Sequence, residues 1–205
     1  KLVSAKRIKC ELPVWGGFYS GKKYNFLVFG QENKKESDKK EVIRVVKYSK
    51  NWKRLGSCVI KGANTSVPFD AGEVAMTEAG GKLYIHTCHE MYKASDTWNH
   101  QANCTFVVRQ ADMKLVDSYY DVMNLSTGYV GHSFSQAIAT DGKTIYRADM
   151  GDVLPCGIVV TNTPVSGKVS KPSGYVIMYE KVVNNYDNTY GHTLGDMKLG
   201  RENIV

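Results

Sequence analysis

The chain lacks most of the features that assign a protein quickly. No stretch carries apolar residues at a helical period, which excludes a helix-based fold. No run of about twenty apolar residues is present, which excludes a transmembrane helix. There is no Gly-rich phosphate loop and no Ser-His-Asp spacing. His86-Thr87-Cys88-His89-Glu90 is not the zincin pattern, which needs His-Glu-x-x-His on one face of a helix. No signal peptide is visible, but the sequence starts inside a repeat, so that absence carries no weight. Acidic residues are scarce in the first third. Residues 1–61 hold 16 Lys+Arg against 5 Asp+Glu (16 − 5 = +11), and residues 62–205 hold 11 against 15 (11 − 15 = −4), which sums to the net +7. That excess sits largely in 31–40 and 47–54, where Trp52 is the lone candidate for stacking. A nucleic-acid surface interleaves its basic residues with stacking aromatics, so these lysines read as a solvated rim and no nucleic-acid partner is expected.

What is present is a period of sixty residues. Gly21, Gly81 and Gly142 mark three tight turns, 60 and 61 apart (81 − 21 and 142 − 81). Leu55, Leu115 and Tyr175 open three apolar segments. Gly131-His132-Ser133-Phe134 returns as Gly191-His192-Thr193-Leu194. A fixed period of this length marks a repeat architecture. Each unit reads as four short strands, A to D, with Gly-rich hairpins and many β-branched and aromatic residues. In the second unit these are 73–77, 82–88, 104–109 and 115–120. The expected fold is all-β: a β-propeller of four-stranded antiparallel blades. Whole blades are expected at about 13–61, 68–122 and 131–182, with partial blades at 1–12 and 191–205. A strand over 2–10 would end a preceding blade, and one over 193–199 would begin a following blade. The ring is then incomplete, and additional blades come from the same longer chain or from another subunit.

This topology gathers the B–C loops and D–A crossings at one end of each blade. That rim collects Gln31 and Glu32, then His89, Glu90, Trp98, His100 and Gln101. It also collects His132, Asp149 and Asp152, and His192 from the following blade. These residues are the candidate ligand-binding set at the channel mouth, with Tyr92 and Tyr129 as aromatic neighbours. The basic tips at 22–23 and 50–54 fall at the opposite end. A metal at the rim would use His86 or His89 with His100, His132 or an acid from a neighbouring blade. A covalent carrier would use His132 with His89 beside it. Otherwise these histidines hydrogen-bond backbone or polar ligands. No cofactor is implied.

Five cysteines leave an odd count. Cys88 and Cys104 lie on adjacent strands, where a hairpin either joins them in a disulfide or buries both as small reduced hydrophobes. Sequons at Asn64, Asn103 and Asn124 are possible glycan sites beside predicted loops.

Residues 24–33, 81–92, 99–101 and 131–136 resemble recurring segments of secreted or cell-surface proteins of gut Firmicutes. Those proteins are large, uncharacterised and read as β-propellers joined to other extracellular modules. The resemblance covers nearly the whole chain. It departs at 149–156, where the family tends to place a His and then an Arg and this chain has Met150 and Cys156. It implies the propeller fold and an extracellular setting, and it names no activity. The function expected is an extracellular, non-catalytic module that binds a glycan or a surface protein, because the rim is polar and aromatic without a defined catalytic set. The alternative is an enzyme acting on a polysaccharide or sulfate ester through rim histidines, by a bound metal or by group transfer as in bacterial arylsulfate sulfotransferases.

Overall fold

A computed structural model describes residues 5–70, 72–125, 128–130, 135–151, 157–180, 194–195 and 197–200. Among them there is no helix, and every sheet is antiparallel. The first sheet is a four-stranded meander of β1 (Val14–Ser20), β2 (Tyr24–Gly30), β3 (Glu41–Ser49) and β4 (Arg54–Lys61). The second holds β5 (Thr65–Pro68), β6 (Ala75–Ala79), β7 (Lys82–Lys93), β8 (Asn99–Arg109) and β9 (Lys114–Tyr119). A hairpin of β10 (Met123–Leu125) and β11 (Gly128–Val130) follows. The third sheet is a meander of β12 (Gln136–Thr140), β13 (Thr144–Gly151), β14 (Gly157–Pro164) and β15 (Gly174–Glu180).

The sheets stack face to face in chain order because alternate residues of their central strands are apolar on both faces. Phe26, Val28, Ile43 and Val45 of the first sheet pack against Leu83, Ile85, Phe106 and Val108 of the second. On its other face, Tyr84 and Val107 meet Ile138 and Ile145 of the third. Each such buried side chain contributes about 2 kcal/mol, so the two interfaces hold the sheets as one stack.

The repeated glycine turns are not equivalent. Gly80 and Gly81, at φ +56° and +72°, close a two-residue hairpin between Ala79 and Lys82. The first and third units close wider loops, between Ser20 and Asn25 and between Thr140 and Ile145.

The edge strand beside β7 in the second sheet is broken. β6 pairs with β7 as far as His86, and β5 resumes the same edge at His89. Between them the chain swings outward to the third sheet, where the Glu73 amide donates to Gln136 Oε1 at 3.0 Å. Gly72 makes this crossing possible, since a Cβ there would lie 2.5 Å from that of Cys88.

The ends differ from expectation. Residues 5–13 form no strand. They lie on the outer face of the first sheet, held by buried Leu12 and by Glu11, which takes Arg54 at 2.7 Å and Arg44 at 3.2 Å. Among the described residues of 191–205, only Leu199 makes a single bridge, while Leu194 and Met197 pack on the third sheet.

Candidate functional site

Glu90, Trp98 and His100, expected together, do lie together. They line a cleft of about 300 Å³ with Asp70, Asn99 and Gln101. The β7–β8 hairpin builds one wall, and Asp70, from the crossing between β5 and β6, builds the other. Gln101 Nε2 donates to Asp70 Oδ2 and ties the walls together. Ser66 Oγ donates to Glu90 Oε1 at 2.7 Å. Asn99 Nδ2 donates to the Met91 carbonyl at 2.7 Å and to Glu36 Oε1 at 2.9 Å.

The hairpin tip holds Trp98 outward, at 71% exposure. The Thr97 amide donates to the Ala94 carbonyl, and the Ala94 amide to the Trp98 carbonyl. Asp96 caps the tip by accepting from the Trp98 amide at 3.0 Å and pairing with His100 Nε2 at 2.7 Å. These two contacts hold its carboxyl below the usual range. The turn forces Thr97 to φ +72°, a strained value for a β-branched residue. Thr97→Gly is expected to relieve about 1 kcal/mol and to raise Tm by about 2–4 °C. Thermal unfolding checks this, and a fall in Tm contradicts it.

The other rim candidates do not converge there. His89 is fully buried on the face of the second sheet that meets the first, with Nδ1 2.7 Å from Thr65 Oγ1. Burial lowers it to about 4, opposed by the Tyr120 backbone. Asp149 is buried on the other face, between the second and third sheets. His89 and Asp149 are therefore separated by the thickness of a sheet. His132, Asp152 and His192 lie outside the described residues. Gln31 and Glu32 belong to the β2–β3 connection, where Gln31 Nε2 donates to the Glu41 carbonyl and Glu32 pairs with Lys34. Tyr92 Oη accepts from Asn33 Nδ2 at 3.0 Å, so it is a packing residue.

Asp149 belongs instead to a polar seam that sequence reasoning missed. Its Oδ2 accepts from Asn103 Nδ2 at 2.8 Å and pairs with His86 Nε2 at 3.0 Å, while His86 Nδ1 meets Thr105 Oγ1 at 3.0 Å. Arg147, fully buried, donates to Thr105 Oγ1, Thr163 Oγ1 and the Val169 carbonyl, each at 3.1 Å. Burial lowers its guanidinium to about 10, opposed by Asp149 and Asp117, so it stays charged at neutral pH. The signal was available: His86, Arg147 and Asp149 are polar residues at core-facing positions of otherwise apolar strands. These side chains are about 1% exposed or less, so the described seam locks two sheets and admits no substrate.

Of the two readings of Cys88 and Cys104, the structure has the buried, reduced pair. Cys88 pairs in register with Asn103, and Cys104 with Thr87. Offset by one residue, the two thiols point to opposite faces and are free. Burial raises both. Asn103 is 2% exposed and donates to Asp149, so the folded chain offers it to no glycan. Asn64 uses both ends of its amide, toward Asp121 and the Tyr92 amide. Asn124 lies on β10. Among the described residues, no three His, Cys, Asp or Glu side chains converge to hold a metal.

No protein-family model matches this chain, and no curated protein matches it.

Proposed function

We propose that the chain is part of an extracellular β-propeller, secreted or displayed at a cell surface, that binds a glycan at the Trp98 cleft without catalysis. The observation that carries the reading is Trp98 itself, 71% exposed beside two carboxylates and two carboxamides in one cleft. An exposed indole stacks well on the apolar face of a sugar ring, while planar acids and amides bind hydroxyls at its edge. The propeller reading draws on the sixty-residue period and the stacked four-stranded meanders. It also draws on the outer face of the first sheet, where Trp15, Phe18, Leu55 and Val59 are 43–52% exposed. Residues 5–13 cover the central strands of that face, and a further blade would meet that segment together with this exposed apolar margin.

The rival enzyme reading has little to draw on among the described histidines. His86 and His89 are sealed, and His100 is held by Asp96. Sedimentation of the protein with insoluble polysaccharides tests the proposal. Trp98→Ala is expected to abolish retention and leave Tm within about 1 °C, because exposed residues seldom support the fold. Retention unchanged in the variant, or no retention by any polysaccharide, contradicts the reading.

A further inference from the structure

We infer that the Trp98 cleft selects glycans bearing protonated amines, such as deacetylated hexosamines, over neutral and acidic ones. This rests on the glycan reading above and narrows it.

The hydrogen-bond inventory of the lining carries the inference. Both donor hydrogens of Asn99 Nδ2 are spent, on Glu36 and on Met91. Gln101 Nε2 is turned to Asp70, and the Trp98 amide to Asp96. The acceptors are not spent. Asp70 Oδ1, Glu90 Oε2, Asn99 Oδ1 and Gln101 Oε1 take no hydrogen bond from the described residues. One hydrogen of Gln101 Nε2 and the Trp98 indole N–H remain as donors, so the cleft presents more acceptors than donors and favours a ligand rich in donors. A primary ammonium supplies three.

Charge points the same way. The whole chain carries +7, yet the lining holds Asp70 and Glu90 and neither lysine nor arginine. An ammonium entering there meets two carboxylates and an indole face, which attracts cations more strongly than any other ring. A uronate or sulfate meets the same carboxylates as like charge, which costs affinity and slows encounter. An N-acetyl group replaces the ammonium with a neutral amide bearing one donor, and loses both attractions.

The test is isothermal titration of the intact chain at low salt, just below neutral pH. The probes are glucosamine, N-acetylglucosamine, glucose and galacturonate oligomers of equal length and equal linkage where available. The glucosamine oligomer is expected to bind at least about tenfold more tightly than the N-acetylated one, with no binding of galacturonate. Asp70→Asn with Glu90→Gln is expected to bring the ratio of glucosamine to N-acetylglucosamine affinity to about one, with circular dichroism checking that the fold is kept. Trp98-dependent binding with no preference for the amine, or with a preference for galacturonate, overturns the inference and leaves the glycan reading standing. Glucosamine binding that survives Trp98→Ala and the double carboxylate variant is polycation adhesion elsewhere, and also overturns it. No binding of any oligomer sinks both.

Discussion

Asp149→Ala is expected to cost about 4 kcal/mol of unfolding free energy, the range for leaving a buried charge without its counter-charge. The substitution removes the acceptor of His86 Nε2 and of Asn103 Nδ2 and leaves the fully buried Arg147 facing fewer negative charges. Arg147 has no carboxylate in direct contact among the described residues. Its partners are two hydroxyls and a carbonyl, and its Nε has no hydrogen bond. Asp149 therefore compensates it through space, across a buried seam. Adding Arg147→Met to Asp149→Ala is expected to recover part of the loss, since removing both charges of a buried set is cheaper than removing one. Urea denaturation of the two variants beside the parent checks this. A single-variant loss below about 1 kcal/mol, or a double variant less stable than the additive sum, contradicts it.

The second large effect is acid lability from His89. Its folded value is lowered to about 4 from an ordinary 6.5, chiefly because burial penalises the charged ring. Between those values the unfolded chain binds a proton that the folded chain does not. Stability therefore falls as pH drops through that window, by about 3 kcal/mol in all. Carboxylates with lowered values, such as Glu11 and Asp112, add their own loss further down, at and below the ordinary carboxylate range. Denaturant midpoints measured across the window are expected to slope steeply in the parent and weakly in His89→Gln. Equal slopes in the two proteins contradict the assignment.

The strands were legible in the sequence because their physical cause is local. Short segments rich in β-branched and aromatic residues mark β2, β7 and β13, alternation marks 73–77, and paired glycines mark the tightest hairpin. The parity of each strand was less legible. Glycine recurs every sixty residues, yet the loops it closes differ in length by two residues. What faces the rim or a neighbouring sheet is set by the interfaces, so His89 is buried where a rim position was expected. β5 was missed because Thr65-Ser66-Val67-Pro68 is short, ends in proline and completes an edge that another segment starts. At the cleft, Glu90, Trp98, His100 and Gln101 share one hairpin and were found together. Asp70 was not, because only the outward swing at Gly72 brings its segment alongside.

The chain has three tryptophans, and they separate cleanly by environment. Trp15 packs on Phe29, Trp52 on Phe18 and Tyr48, and Trp98 stands in the cleft. Indole N–H resonances of protein labelled with nitrogen-15 tryptophan, assigned by single Trp→Phe variants, report on each directly. Titration with a glycan retained in the sedimentation assay is expected to move the Trp98 resonance and leave those of Trp15 and Trp52 in place. A Trp98 resonance that stays fixed at saturating glycan, or a response confined to Trp15 or Trp52, contradicts the site.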